Sequence, residues 1–348
     1  MTGPVPAVAL VVCDLGPGTG VGHLMRCLAL AEELRERDLE PWFVADASAV
    51  PFAAEQLRSR GFSWTAPPEP EALRTLVIRH GAALVVVDSY LLPAWVYADL
   101  RRTGAPLLAF VDGEPAGREA DVYLNQNLGG EHVPANLADG STYLGGIDFA
   151  LMRDEILAPA AAPVRADDRP SVLAFFGGTD VHRAAPVVTE LLVGTGVPFT
   201  ATVVAATPAL AEHVRAVPTG PGQDVTAVPP LSRLVDAVRS SDAVISAAGT
   251  STWELMCLGA ATALVVVADN QLAGFEAATT SGAALGLGRL TDLPGSGAAS
   301  RTLRTLLTEP DVRRDLRRRA RGLVDGQGRR RVVDAALDRI STRGALHG

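Results

Sequence analysis

Short, wholly apolar runs alternate with segments whose apolar residues recur every three or four positions, along nearly the whole chain. "VALVV" (8–12) has the pattern of a buried strand, and the segment after it sets Leu24, Cys27, Leu28, Ala31 and Leu34 at helical spacing. "ALVVVDSY" (83–90) and "PLLAFVD" (106–112) are strand-like, with "PAWVYADLRRTG" between them as a helix closed by Gly104. After residue 170 the alternation resumes in "SVLAFFGGTD", "FTATVVAA", "DAVISAAGTSTWELMCLG" and "TALVVVADNQ", and it ends in arginine-rich helices. This rhythm predicts parallel sheets covered by helices on both faces. "APAAAPVRADDRP" (158–170) has prolines, charge and no apolar period, so it reads as a linker. The expected organisation is an N-terminal domain over 1–158, a linker over 159–170, and a C-terminal domain with its helices over 171–348.

The densest signal lies between the first strand and first helix, where Gly16, Gly18, Gly20 and Gly22 precede His23. Three readings stand. One is a tight turn with a capped core histidine. Another is a dinucleotide fingerprint, although the third glycine of G-x-G-x-x-G is missing and "PWFVAD" offers only Asp46 as the acidic residue. The third is a substrate loop, in which glycines admit a ligand close to the backbone and a histidine at the helix start acts as a base.

Other strand ends carry polar groups as well. "ISAAGTSTWE" runs from a strand into Gly249, Thr250, Ser251 and Thr252, where free N–H groups and three hydroxyls suit an anion without any ammonium. Glu254 stands where a carboxylate could take hydrogen bonds from two ribose hydroxyls; a capping box from Ser251 to Glu254 is the plainer reading of the same turn. Gly177, Gly178 and Thr179 form a second glycine turn able to face phosphate. Asn270 and Gln271 end another strand with amides suited to sugar hydroxyls, or simply with a turn. In the N-terminal half, Asp14, Asp88, Asn125 and Asn127 fall at strand ends, and Arg153 and Glu155 lie near the expected hinge. In open parallel sheets ligands bind beyond the carboxyl ends of strands, and each glycine-rich stretch follows a strand, so all of those stretches should face one cleft.

Composition narrows the chemistry. The 348 residues and 48% hydrophobic content allow two cores, and a formal net charge of −8 argues against a nucleic-acid partner. No apolar run reaches the length of a membrane span, and "MTGPVPA" lacks the features of a signal peptide, so a cytoplasmic enzyme is expected. Cys13, Cys27 and Cys257 read as reduced core residues. All 31 basic residues are arginine, which excludes a Schiff-base lysine and a Walker-type phosphate loop. His80, His132, His182 and His213 have no partners at ligand spacing, so no metal is expected. The arginine run 313–321 reads as a solvated helix face, with docking on anionic lipid as the alternative.

Taken in order from residue 20 to about 333, "GVGHLMRCLALA", "VVDSY", "LNQN", "FALMRDE", "FFGGTD", "ISAAGTSTWE", "VADNQ" and "VDGQGRRRVV" resemble one family. It is that of the UDP-sugar hydrolase of pseudaminic acid biosynthesis and its spore-coat-polysaccharide relatives, within the GT-B superfamily. The resemblance implies an α/β fold of two Rossmann-like domains whose parallel sheets face a central cleft, with a UDP-sugar held chiefly by the C-terminal one. By motif, His23 matches the catalytic histidine, Gly249 to Thr252 the diphosphate loop, Glu254 the ribose carboxylate, and Asn270 and Gln271 the sugar contacts. Gly20 and Gly22 then make room for substrate. Two departures fall on the acceptor side: Cys13 precedes Asp14 where hydrolases of this family usually carry arginine, and Gly113 follows Asp112 where they pair aspartates. The expectation is therefore an inverting transferase that moves a sugar from UDP to a small acceptor. A nucleobase is one such acceptor, as in the cytosine glucuronides of nucleoside-antibiotic pathways. Hydrolysis with water as nucleophile is the alternative, and a non-catalytic sugar-nucleotide sensor the third. No cofactor beyond the UDP-sugar co-substrate is expected.

Overall fold

The computed structural model describes residues 6–16, 21–159, 168–231 and 233–347. The chain divides into two compact units, unit 1 comprising Met1–Asp154 with Gly326–Gly348 and unit 2 comprising Glu155–Asp325. Most of the expected linker, 160–167, lies outside the described residues, as does Gly20.

Unit 1 begins β1 (Ala7–Cys13), α1 (Gly22–Glu36), β2 (Leu39–Val44), α2 (Pro51–Ser59), β3 (Ser63–Thr65) and α3 (Leu73–His80). It continues through β4 (Leu84–Asp88), α4 (Ala94–Arg101), β5 (Leu107–Phe110), β6 (Val122–Asn125), β7 (Thr142–Gly145) and α5 (Asp154–Leu157), at whose first residue the unit boundary falls. The seven strands are all parallel, in the order β3-β2-β1-β4-β5-β6-β7. Because side chains alternate across a strand, a sheet buried on both faces needs an unbroken apolar run. In β1, Ala9, Val11 and Cys13 enter the core under α1, while Leu10 and Val12 enter the opposite core with Val96 and Tyr97 of α4.

Unit 2 repeats the plan with β8 (Ser171–Phe175), α6 (Ala184–Val193), β9 (Phe199–Val204), α7 (Pro208–Arg215), β10 (Gln223–Val228) and α8 (Leu234–Ser240). It closes with β11 (Ala243–Ala247), α9 (Ser251–Cys257), β12 (Thr262–Val266), α10 (Leu272–Thr280), β13 (Ala284–Arg289), α11 (Gly297–Thr308) and α12 (Pro310–Leu323). Its six parallel strands run β10-β9-β8-β11-β12-β13. Val172 and Ala174 of β8 join the core containing α6, and Leu173 and Phe175 join the core containing Leu255 of α9.

In both sheets the order reverses at one place, between β1 and β4 and again between β8 and β11. The helices after those strand pairs leave for opposite faces, which opens a crevice at the strands' carboxyl ends.

The structure corrects the expected organisation at the end of the chain. The last helix, α13 (Gly328–His347), belongs to unit 1 and not with the C-terminal domain. Val332, Val333 and Ala336 are fully buried in the core beneath α1, and each valine contributes about 1.5–3 kcal/mol by leaving water. Arg329 holds the helix start in place through Glu32, Glu33, Glu36 and Asp154, the last at 2.5 Å. Gly328 is needed beside it, since a Cβ there would lie 2.6 Å from the Ala150 nitrogen.

The arginine run of α12 also differs from a solvated face. Arg313 donates to the carbonyls of Leu306 and Leu307 at the end of α11, at 2.7 and 2.8 Å. Arg317 donates to those of Ser241 and Asp242 just beyond α8, at 3.2 and 2.8 Å. Cations at carboxyl ends satisfy orphan carbonyls and meet the negative end of the helix dipole. Only the outer side, with Arg314 on Asp311 and Arg318 on Asp315, pairs within the helix.

Candidate functional site

In unit 1 the carboxyl ends of β1, β4, β5 and β6 bring together side chains that are far apart in the chain. His23, in the first turn of α1, is buried. Its Nδ1 lies 2.7 Å from Oδ1 of Asp88, the last residue of β4, and Asp88 is itself 1% exposed. Burial opposes the charged form of Asp88, but Arg26 and then His23 bring its carboxyl down to about 2. An ionised carboxylate at this distance requires the proton on Nδ1, so Nδ1–H donates and Nε2 carries the lone pair. Nε2 has no hydrogen-bond partner among the described residues. Arg26 Nη2 stands 3.2 Å from Nδ1, but both are donors sharing the same Asp88 oxygen.

Asp88 is saturated. Arg26 grips it with Nε on Oδ2 and Nη2 on Oδ1, both at 2.5 Å, and the Cys27 thiol donates to Oδ2 at 3.6 Å. Burial foremost pushes the Cys27 thiol up, so it remains S–H. Arg26 sits 4.8 Å above the Phe110 ring and reaches Oδ1 of Asp112, just past β5, at 3.4 Å. Asp112 also accepts from Asn127 Nδ2 at 2.8 Å and from the Tyr90 hydroxyl. Burial works against its charge, yet Arg26, then Tyr90, hold it below the usual carboxylate range. Burial first, and then the Asp112 charge, raise the Tyr90 phenol, which stays protonated. The Tyr90 ring meets the His23 ring edge to face at 4.7 Å.

Asp14 works on the loop after β4. It accepts from Ser89 Oγ at 2.6 Å and from the backbone N–H groups of Tyr90 and Leu91 at 2.7 and 3.2 Å. Asn125, buried, accepts from the side chain of Asn127 at 3.0 Å and so supports the residue that reaches Asp112. Gly22 begins α1 next to His23.

Of the residues expected here, Asp14, Gly22, His23, Asp88 and Asn125 gather at this end of the sheet, while Gly20 lies outside the described residues. Asn127, also singled out at a strand end, joins the network through Asp112, and Arg26, Tyr90 and Asp112 complete it without having been among the expected site residues. Arg26 left one usable sign. It is a charged residue three positions after His23, in a helix otherwise lined at that spacing by Leu24, Cys27 and Leu28.

In unit 2 the loops after β8, β11 and β12 emerge side by side, because Phe175 pairs with Ser246 and Ala247 with Val265. Gly177 has φ +79°, a left-handed turn that keeps the loop 177–179 free of side-chain strain. Asp180, which sequence reasoning missed, accepts from the N–H groups of Ala184 and Ala185 at 2.8 and 3.0 Å and starts α6. The Gln271 amide lies against Gly249, its Nε2 3.6 Å from where a Cβ would sit, an ordinary contact distance. Gln271 Oε1 accepts from Val267 N at 3.0 Å, and Asn270 is exposed in the same turn. The capping box does not form. α9 starts at Ser251 with Thr250 at the N-cap and no side-chain cap. Thr252 is 2% exposed, and its hydroxyl has no partner among the described residues. Glu254 stands half-buried in the first turn of α9.

Among the described residues no three His, Cys, Asp or Glu side chains converge as metal ligands, and no helix is long and apolar enough to cross a membrane.

No family model matches the chain, and no curated protein matches it. Solved structures do. The chain is similar to MurG of Acinetobacter baumannii at 16% identity, over 96% of this chain and 100% of that one, with a TM-score of 0.70. It is similar to the glycosyltransferase of kitacinnamycin at 13% identity, over 97% and 100%, with a TM-score of 0.67. It is similar to Phytolacca americana UGT2, complexed with UDP-2-fluoro-glucose and pterostilbene, at 13% identity, over 96% and 100%, with a TM-score of 0.64. These likenesses and the two parallel Rossmann-like sheets define the GT-B fold.

Proposed function

We propose that the protein is a nucleotide-sugar-dependent inverting glycosyltransferase that moves a sugar from UDP to a small acceptor. The carrying observation is the buried His23–Asp88 pair, which leaves Nε2 as a base with no partner among the described residues. Nε2 takes the proton of an acceptor O–H or N–H as that atom attacks the anomeric carbon from the face opposite UDP. The bond from that carbon to the phosphate oxygen breaks, and UDP leaves with the electron pair. Asp88, already ionised, stabilises the imidazolium that forms.

Unit 2 supplies the groups for the nucleotide. Gly249, Thr250, Ser251 and Thr252 offer N–H groups and hydroxyls to the diphosphate, and Gly177, Gly178 and Thr179 border it on the neighbouring strand. The Thr252 hydroxyl, without a partner among the described residues, supports this assignment, since a buried hydroxyl left unpaired costs free energy unless something binds it. Glu254 holds the ribose, and Asn270 with Gln271 the sugar. Further support comes from the plant structure of the same fold, which holds a UDP-sugar analogue and a small aromatic molecule.

Purified protein incubated with a panel of UDP-sugars, first in water and then with nucleobases and other small nucleophiles, tests the reading. Acceptor-dependent UDP release with a new glycoside detected by mass, lost in His23→Ala, is the expected result. Full-rate release in water alone would instead identify a hydrolase acting through the same histidine. Activity surviving in His23→Ala would remove the proposed base altogether.

A further inference from the structure

Arg26 occupies an unusual place: a buried guanidinium that contacts the partner of the proposed base and not the base's free nitrogen. Its fork takes both oxygens of Asp88, including the one that accepts from His23, and its third nitrogen reaches Asp112. Asp112 is in turn fixed by Tyr90 and Asn127, so the guanidinium is held from both ends. We propose that Arg26 is a positioning residue that holds Asp88 against His23 and offsets its charge, so that the carboxylate orients the imidazole without trapping a second proton on it. This rests on the reading of His23 as the base.

The argument is one of charge. With His23 neutral, Asp88, Arg26 and Asp112 together carry one negative charge, and protonation of Nε2 brings the cluster to zero. Without Arg26 the imidazole faces an uncompensated Asp88 carboxylate, with Asp112 left as a second unneutralised charge in the same cluster, and a carboxylate within about 4–6 Å favours the imidazolium by one to three pH units. The other groups near the pair do not replace Arg26. From α1 there is the Cys27 thiol, kept protonated, and from the end of β1 come Cys13 and Asp14, the latter engaged by Ser89, Tyr90 and Leu91. After β4 stands Tyr90, and from α4 Tyr97, both phenols raised and neutral. Arg118 stands farther out, over the Tyr97 ring at 5.8 Å and donating to the Tyr90 carbonyl at 3.5 Å, so Arg26 is the one arginine bonded to Asp88 among the described residues. Its cost is that it spends part of the Asp88 charge that would otherwise stabilise the imidazolium in the transition state.

Three variants give opposed expectations. A base must be unprotonated, so the rate rises with pH through the acid limb of kcat/KM. Arg26→Gln moves that limb up by about one unit or more, because the proton stays on His23 to higher pH. Asp112→Asn removes a carboxylate, leaves Arg26 to Asp88 alone, and moves the limb down. Arg26→Lys keeps the charge but cannot bridge both Asp88 oxygens, so the limb stays near the parent's while kcat falls. A purely structural Arg26 would lower activity in each case without opposite shifts.

The same titrations are read without substrate by NMR of histidine-labelled protein, with the His23 resonance assigned by its loss in His23→Gln. A His23 midpoint that does not move in Arg26→Gln and Asp112→Asn overturns the proposal. If Arg26→Gln does not fold, Asp112→Asn alone decides, and a midpoint that stays or rises overturns it. If the NMR midpoints shift as expected while His23→Ala remains active, the positioning role stands and the reading of His23 as base fails.

Discussion

His23 and Asp88 stand 65 residues apart in the chain and meet at 2.7 Å, Nδ1 to Oδ1, in the interior of unit 1. The contact exists because β1 and β4 are neighbours in the sheet, so the helix that follows β1 starts beside the end of β4. It fixes which nitrogen of the imidazole carries the proton. That makes the pair a unit whose halves fail together.

Asp88→Asn is expected to lower turnover by about two to four orders of magnitude, the usual contribution of an oriented acid–base group. An amide in that place can present its NH2 to Nδ1 and reverse the tautomer, leaving Nε2 protonated. Initial rates of UDP release in parent and variant measure this. A loss below tenfold would mean that Asp88 does not orient the base.

The same residue makes a signed prediction for acid stability. Its folded carboxyl is depressed from the ordinary aspartate value to about 2, burial being outweighed by Arg26 and then His23. A depressed carboxylate stabilises above its unfolded value, and the benefit is lost as pH falls through the folded one; here it is on the order of 2 kcal/mol. Urea midpoints of parent and Asp88→Asn should therefore differ most above pH 4 and converge towards pH 2. A gap independent of pH would show that the carboxylate's charge does not contribute.

Thr252→Val separates binding from folding. The buried hydroxyl has no partner among the described residues, so its removal should leave thermal stability unchanged or slightly higher. If the hydroxyl holds phosphate, affinity for UDP falls about tenfold, the worth of a hydrogen bond to a charged group. Calorimetric titration with UDP and a melting curve on the same sample read both. Unchanged affinity would remove Thr252 from the nucleotide site.

Arg329→Met tests how the last helix is held. The substitution leaves Glu32 and Glu33, both largely buried, without the cation that joins them to Asp154 and Glu36. Breaking a buried ion cluster from one side costs about 3–5 kcal/mol. A lower denaturant midpoint and faster protease removal of the 326–348 segment are expected, and a midpoint equal to the parent's would contradict it.

Much of the fold is legible in the sequence. Apolar runs and helical spacing are local properties, so "VALVV", "ALVVVDSY" and "DAVISA" read directly as strands, and "GTSTWE" as a strand-to-helix turn. The turn's internal bonding was less legible, since Ser251 fitted a capping box on paper while the helix begins one residue earlier than that box needs. Arg313 and Arg317 looked like surface charge because nothing local reveals that their reach ends on carbonyls of α11 and beyond α8.

By itself, then, the sequence determined the parallel α/β plan, the glycine turns at strand ends, and His23 and the Gly249–Thr252 loop as candidate chemistry, all through short-range periodicity and residue type. Only the tertiary structure decided that Asp88 is the partner of His23, that Arg26 is buried between Asp88 and Asp112, and that α13 completes the core of unit 1. The reason is physical. Strand order in a parallel sheet, and the pairing of charges it buries, depends on long-range packing that no spacing along the chain encodes.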